Sequence, residues 1–215
     1  MNSKFHNKLN IRNQIITSAQ NYQKRMVGKT FLYIFDNRYI EVIYRISEFM
    51  HLTGVETSLT AKEFYKEACK GTLSDSQFGF TSRHPYNLSV KKMSQLNNLD
   101  KLTNSEILIT EDITTKSTTF KFGLTELCFT LCLDCDADIN GLCKSSYYIA
   151  KSLRVEDCFN KCSDVNTVDL IFEKHTSEKY YNKINYIEND IAISKIPDSI
   201  KHKINPLLIC KLENN

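Results

Sequence analysis

Phe49-Met50-His51-Leu52-Thr53-Gly54-Val55 joins two strand-like runs to a helix that starts at Thr60, and the rest of the chain is organised around it. The stretch places the titratable imidazole of His51 at a strand-to-helix junction, directly after an apolar run. Gly54 lets the backbone turn sharply and lets another group approach closely. The pattern fits two interpretations: a histidine that serves a functional site, or a half-buried histidine that covers the end of a sheet.

A helix and a hairpin precede this stretch. Apolar residues at steps of three or four predict an amphipathic helix over residues 7–26, which Gly28 ends. Strand-like runs cover 31–35 and 39–46, and Asp36-Asn37 between them has the composition of a hairpin turn. We therefore expect a hairpin that delivers His51 at its exit. The apolar stripe of the helix comprises Ile11, Ile15, Ala19, Tyr22 and Met26.

Two shorter helices follow the stretch. Thr60-x-x-Glu63 is a capping box and Gly71 is a stop signal, and together they bound the first helix. Arg83-His84-Pro85 lies on the loop between the two helices, where it either contacts phosphate or forms an ordinary surface loop. The second helix starts near Asn87 or Ser89, with Lys91 and Lys92 outside and with four residues expected to point inward: Val90, Met93, Leu96 and Leu99.

The pattern becomes extended after residue 104. Strands over 106–110, 118–122 and 126–133 form a meander. Asp134, Asp136 and Asp138 are turn residues, because the glycine and the distal glutamate of a calcium loop are missing. Further strands over 145–154 and 167–175 end in polar residues, and a short strand lies near 186–187.

The composition is that of a folded globular chain. It has 215 residues, of which 41% are hydrophobic and 25% charged, and no flexible linker divides it. No apolar run approaches the roughly 20 residues of a membrane-spanning helix, and the N-terminus lacks the pattern of a secretory signal. We expect a soluble cytoplasmic protein with no membrane contact.

The net charge of +3 is unevenly distributed. Residues 1–100 carry 14 Lys and Arg against 8 Asp and Glu, a net charge of +6, whereas residues 101–215 carry 14 against 17, a net charge of −3. The first 30 residues hold six basic side chains and no acidic one. The N-terminal helix therefore presents either a positive face for phosphate or a solvated basic face without a ligand.

Five of the eight cysteines fall between residues 132 and 162. Cys132-x-x-Cys135, Cys143 and Cys158-x-x-x-Cys162 would supply four thiolates to a structural zinc ion. In a reducing cytosol the same residues serve as small buried hydrophobes. We expect no metal and no other cofactor, with a zinc module as the alternative.

The order of these elements, and above all Phe49-Met50-His51-Leu52-Thr53-Gly54, resembles the fourth group of the phage Barnase-EndoU-colicin-RelE-like nucleases over roughly residues 5–190. The resemblance implies an α+β fold with N-terminal helices packed on a twisted antiparallel β-sheet. It also implies metal-independent cleavage of RNA. The expected organisation is a single domain over 1–215, with an N-terminal helix at 1–27, a nuclease-like core at 29–190 and a C-terminal tail at 191–215.

Cleavage of RNA without a metal needs a base for the 2′-hydroxyl proton, an acid for the leaving oxygen and cations for the charge on phosphorus. By the resemblance, His51 transfers protons, Lys174 clamps phosphate and Ser152 donates a hydrogen bond. Chemistry alone adds His175 as the partner acid. It also adds the phosphate-binding residues Arg154, Lys151 and Arg83. Lys174 at the end of a strand has a second interpretation, as a solvated lysine without a ligand.

The resemblance suggests an endoribonuclease of a phage or mobile element that acts on host or invader RNA as a toxin or anti-defence effector. The alternative is a non-catalytic inhibitor of a host defence or CRISPR complex, which binds protein or nucleic acid through the same fold. That inhibitor would use the basic residues of the N-terminal helix, namely Lys4, Lys8, Arg12, Lys24 and Arg25.

Overall fold

The computed structural model describes residues 2–116, 118–138, 140–188 and 195–213, with the backbone alone for residues 2–6. Its helices are α1 (Asn2–Arg25), α2 (Phe49–Thr53), α3 (Ala61–Lys70), α4 (Tyr86–Leu96), α5 (Asp198–Lys201) and α6 (Pro206–Glu213), with 3₁₀ helices at Leu99–Thr103 and Phe159–Lys161. The strands are β1 (Lys29–Phe35), β2 (Arg38–Ile43), β3 (Glu56–Thr57), β4 (Phe78–Gly79), β5 (Leu108–Thr114), β6 (Thr119–Thr125), β7 (Thr130–Ala137), β8 (Cys143–Arg154), β9 (Asp164–Thr167), β10 (Leu170–His175) and β11 (Lys183–Ile187).

Within the described residues, nine strands form one sheet in the order β11-β10-β1-β2-β8-β7-β6-β5-β9. Every neighbouring pair is antiparallel except β2 and β8, which run parallel. The strands β3 and β4 form a separate two-stranded sheet. The chain therefore has an α+β fold with a large, mostly antiparallel sheet, which confirms the expected class at this level.

The strand β1 is buried on both sides, because its alternating residues contribute to two different cores. Phe31, Tyr33 and Phe35 belong to the larger core, which also contains buried residues of α1, α2, α3 and α4. Leu32 and Ile34 belong to a smaller core that includes Ile196, Ile200 and Ile204 near the C-terminus. The apolar residues of β1 thus contribute to both cores.

Three local signals before residue 72 are confirmed: the apolar stripe, the hairpin turn and the ends of α3. All five residues of the predicted stripe of α1 are buried. Asp36 and Asn37 join β1 to β2 with positive φ angles of 45° and 54°, the conformation that tight hairpins favour. Thr60 and Glu63 form both hydrogen bonds of the capping box at α3, and Gly71 ends that helix with a φ of 75°.

The prediction for α4 was wrong at two positions, although Met93, Leu96 and Leu99 are buried as expected. Val90 is 40% exposed, whereas Lys92, expected outside, is only 8% exposed. The helix begins at Tyr86, and Ser89 on its inner face donates a hydrogen bond to the carbonyl oxygen of Gly54 at 2.7 Å. This contact with the end of α2 turns Ser89 and Lys92 inward.

The aspartates at the end of the meander were also placed wrongly. The strand expected over 126–133 is β7, which begins at Thr130, so Asp134 and Asp136 lie within it. Asp136 is only 6% exposed, because its carboxylate accepts a hydrogen bond from Nη2 of Arg45 at 2.6 Å. That guanidinium also lowers the pKa of Asp136. Asp136 therefore fixes β7 to the chain that leaves β2.

Candidate active site

A cleft forms where β8 extends beyond its parallel neighbour. β2 pairs with β8 only through Tyr147–Ile149, so the end of β8 keeps β7 on one side and meets α2 and α4 on the other. The cleft has two compartments, of about 460 Å³ and about 370 Å³. His84, Lys92 and Ser152 line both compartments and therefore connect them.

His51 lines the smaller compartment from within α2. Its position is in the helix itself rather than at the expected junction of strand and helix. Partial burial lowers the pKa of the imidazole, Glu48 opposes this effect, and the positive charges of Lys151 and Lys92 add to it. Because the unperturbed pKa is about 6.5, the ring is mostly neutral at pH 7 and can accept a proton.

Gly54 ends α2 with a φ of 72° and leaves room for the side chain of Lys92. A Cβ atom at this position would lie 2.8 Å from Cδ of Lys92. The close approach that the sequence motif predicted at Gly54 is therefore confirmed, and the approaching group is a cation. Nζ of Lys92 donates a hydrogen bond to the backbone carbonyl oxygen of His51 at 3.4 Å.

Lys92 is a buried ammonium without a counter-ion in the part of the chain that the structure describes. Burial lowers its pKa to about 8, and the nearby positive charge of Arg154 acts in the same direction. At pH 7 the ammonium remains mostly protonated. Its charge is therefore kept next to the cleft at a cost in stability.

Arg154 is the second cation of the cleft without a counter-ion among the described residues. It lines the larger compartment at the end of β8, and its Nε atom is buried without a hydrogen-bond acceptor. No ion pair to Arg154 occurs among the described side chains. Since buried polar groups nearly always have partners, Arg154 and Lys92 together indicate an anion-binding site.

His84 brings a second imidazole to the cleft. The loop that carries it is closed by hydrogen bonds between His84 and Thr81, and Nδ1 of the ring pairs with the carboxylate of Glu56 on β3. A carboxylate at Nδ1 fixes the orientation of a histidine ring. The sequence indicated either phosphate contact or an ordinary surface loop for this segment, and no spacing signal pairs it with Glu56, which lies 28 positions earlier.

Most of the other predicted site residues also line the cleft. Ser152 borders both compartments, Lys151 lies with His51 in the smaller one, and Arg83 lies with Arg154 in the larger one. The predicted motif at 49–54 and the end of the strand at 145–154 therefore do meet in space.

Lys174 and His175 do not join this cleft, contrary to the expectation. They lie on β10, which is three strands away from β8 in the sheet. Nζ of Lys174 lies 5.0 Å from the centre of the Tyr181 ring, in a buried environment on the side of the smaller core. His175 lies beside Gly28 and contacts Ser177 through Nδ1 at 2.6 Å. The difference arises because β10 pairs with β1 rather than with the strands of the meander.

Much of the positive charge on α1 has local partners. Arg12 pairs with Asp75 at 3.4 Å, and Arg25 pairs with Asp100. Nζ of Lys8 lies 5.1 Å from the centre of the Phe78 ring. The side chain of Lys4 lies outside the described residues. These contacts reduce the basic face that was predicted for partner binding.

Four of the cysteines form two separate thiol pairs. Cys132 and Cys158 interact by a hydrogen bond, as do Cys135 and Cys143, and no disulfide joins the described cysteines. Among the residues described, no group of three or more His, Cys, Asp or Glu side chains is arranged to hold a metal ion. The zinc alternative therefore gains no support from this part of the chain.

None of the described helices combines the length and the apolar character that crossing a membrane requires. No curated protein and no solved structure matches this chain significantly. A family model described as phage-Barnase-EndoU-ColicinE5/D-RelE like nuclease4 matches residues 14–190, which include every element of the cleft. The chain therefore belongs to the phage-Barnase-EndoU-ColicinE5/D-RelE like nuclease4 family.

Proposed function

We propose that this protein is a metal-independent endoribonuclease that acts at the cleft between α2, α4 and β8. The observation that supports it best is the meeting of two imidazoles, His51 and His84, with two cations that lack counter-ions, Lys92 and Arg154. A phosphodiester supplies the missing anion, and paired imidazoles supply an acid and a base near neutral pH. The family name adds a nuclease-like fold to this argument.

In the proposed reaction, neutral His51 accepts the proton of a ribose 2′-hydroxyl. The 2′-oxygen forms a bond to phosphorus while the bond from phosphorus to the 5′-oxygen breaks. His84, oriented by Glu56, gives a proton to the leaving 5′-oxygen. The products are a 2′,3′-cyclic phosphate and a free 5′-hydroxyl, after which His51 loses its extra proton to water and His84 takes one up from water. In these roles His51 is the base because burial and nearby cations lower its pKa, and His84 is the acid because the carboxylate of Glu56 orients its ring.

The cations carry the electrostatic part of the proposal. Lys92 and Arg154 stabilise the charge that develops on phosphorus, and the burial of Lys92 and of the Nε atom of Arg154 strengthens this effect. Lys151 and Arg83 lie nearer solvent and bind adjacent phosphates. Ser152 donates a hydrogen bond to a phosphate oxygen. Lys174 and His175 have no part in this scheme because of their distance from the cleft.

The test is to incubate purified protein with single-stranded RNA in the presence of EDTA and to analyse the ends of the products. We expect 2′,3′-cyclic phosphate ends and loss of cleavage in His51→Ala. His202→Ala is the matched control, because His202 is exposed on the C-terminal side of α5. Full cleavage by His51→Ala, or 5′-phosphate ends, would contradict the proposal. Stable RNA or protein binding without any cleavage would favour the non-catalytic inhibitor instead.

The wider setting is part of the same proposal. We infer a protein of a phage or mobile element that works in the cytoplasm on host or invader RNA, as a toxin or as an anti-defence effector. We also infer that the N-terminal helices pack on a twisted sheet, as in the nucleases that give the family its name. Expression of the protein in cells, followed by sequencing of RNA ends, tests for the predicted toxicity and RNA cleavage.

A further inference from the structure

The cleft continues beyond the pair of His84 and Glu56. A groove of about 440 Å³ runs along the two-stranded sheet of β3 and β4, and Glu56 and Thr57 line both this groove and the cleft. The chemistry of the walls changes along the way. None of the described residues that line the groove is a lysine or an arginine. Apart from the carboxylate of Glu56, which pairs with His84, the walls present hydroxyls, an amide and aromatic rings. A phosphate site therefore leads into a partly aromatic site without cations among the described residues.

Phe80 is the central aromatic residue of this groove. It is half-buried, and it also borders an apolar cavity of about 470 Å³ that lies next to Tyr86 and Lys8. Its ring is nearly perpendicular to those of Phe78, at 86°, and Tyr86, at 89°. These neighbours fix the ring without lying parallel to it, so neither forms a stacked pair with it. The half-buried ring also lines the groove, so a flat ligand bound there is able to contact it.

The groove next to Phe80 is open, and a hydrogen bond fixes its floor. A Cβ atom added to Gly79 would meet no other atom within 4 Å. At the floor of the groove, Oγ1 of Thr57 donates a hydrogen bond of 2.5 Å to the carbonyl oxygen of Gln77. A planar heterocycle therefore has space beside the strand, with polar groups at its edge.

We propose that Phe80 and the groove along β3 and β4 form a nucleobase subsite, which binds a base of single-stranded RNA beside the phosphate held by Lys92 and Arg154. The subsite rests on the proposed function, since it identifies the substrate as unpaired RNA. Bases in a duplex are stacked and paired, so only a single strand can place a base on an aromatic side chain. Stacking of this kind tolerates all four bases, because each has a π-face.

The test measures binding rather than cleavage. The full chain carrying His51→Ala is titrated with a fluorescent single-stranded oligouridylate and, separately, with inorganic polyphosphate, which has the charge but no bases. In this background Phe80→Leu keeps an apolar side chain of similar size but loses the flat ring, and Phe80→Tyr keeps the ring. Thermal unfolding of each variant verifies that the fold is intact.

We expect Phe80→Leu to weaken oligouridylate binding roughly tenfold or more, with polyphosphate binding unchanged and with affinity restored in Phe80→Tyr. Equal oligouridylate affinity in Phe80→Leu, or an equal loss for both ligands, would overturn the subsite. The two proposals fail separately. Base-dependent binding without any cleavage by the unmutated protein would support the subsite and contradict the nuclease. Cleavage of RNA that Phe80→Leu leaves unchanged would support the nuclease and contradict the subsite.

Discussion

Nζ of Lys92 lies 3.4 Å from the backbone carbonyl oxygen of His51, so the buried ammonium is tied to the helix that carries the candidate base. Carbonyl groups near the end of a helix lack partners within it, and this one finds a partner in Lys92. The contact makes the two positions interdependent. A change that moves Lys92 should therefore affect His51, even though the two residues are 41 positions apart in the chain.

Replacement of Lys92 by methionine should stabilise the protein while it removes activity. Methionine retains an apolar stem of similar length but does not bury a charge. The pKa of Lys92 falls from 10.5 to about 8 on folding, which costs up to ~3 kcal/mol at pH 7. Chemical denaturation should show a higher free energy of unfolding for Lys92→Met, with cleavage reduced about 100-fold or more. A destabilised variant would contradict the assignment of Lys92 as a strained cation.

The stabilisation by Lys92→Met should depend on pH in a definite direction. Between pH 8 and 10.5 the unfolded chain binds a proton at Lys92 that the folded protein has lost, so the stability of the unmutated protein rises with pH over this window. The advantage of the variant is therefore complete below pH 8 and disappears towards pH 10.5. Denaturation midpoints for both proteins across this range measure it. A constant difference would show that the pKa of Lys92 is not lowered.

Gly54→Ala should cost both stability and activity, because the new Cβ atom meets Lys92 and the backbone has a positive φ. Gly71→Ala is the matched control, since Gly71 has a φ of 75° but no atom within 4 Å of the added Cβ. Both variants should lose about 1 kcal/mol or more to backbone strain. Only Gly54→Ala should also lose RNA cleavage. Equal activities in the two variants would show that the contact with Lys92 is unimportant.

Glu56→Gln should reduce cleavage by about 100-fold, because the ring of His84 loses the carboxylate that orients it and a misplaced catalytic group lowers the rate. We expect the loss in kcat rather than in KM, since Glu56 acts through His84 and not on the RNA. Glu106→Gln serves as the control, because Glu106 is exposed and outside the cleft. A loss confined to KM would assign Glu56 to RNA binding instead.

Local signals in the sequence predicted the hairpin of β1 and β2, the capping box at Thr60 and the glycine of the central motif. Each of these depends on neighbouring residues, and the sequence displays such residues directly. Lys92 was assigned to the wrong face of α4, since hydrophobic periodicity places every lysine outside. Its burial depends on Gly54, the residue that directly follows a different helix.

The remaining differences concern the order of the strands. Lys174 and His175 end a strand, as predicted, but the pairing of β10 with β1 carries them away from β8. His84 was not assigned a role in proton transfer, because the strand that holds Glu56 is only two residues long and leaves no pattern in the sequence. Long-range pairing of this kind is settled by the packing of the whole sheet.

The most direct measurement is a double-mutant cycle of His51 and His84, with kcat/KM for RNA cleavage determined in EDTA for both single variants, the double variant and His175→Ala. If the two imidazoles act as one acid and base pair, each single alanine variant loses roughly 10²- to 10⁴-fold and the double variant loses little more than the worse single one. His175→Ala should then retain the full rate. Full activity in either His51→Ala or His84→Ala, or losses that multiply in the double variant, would contradict the account.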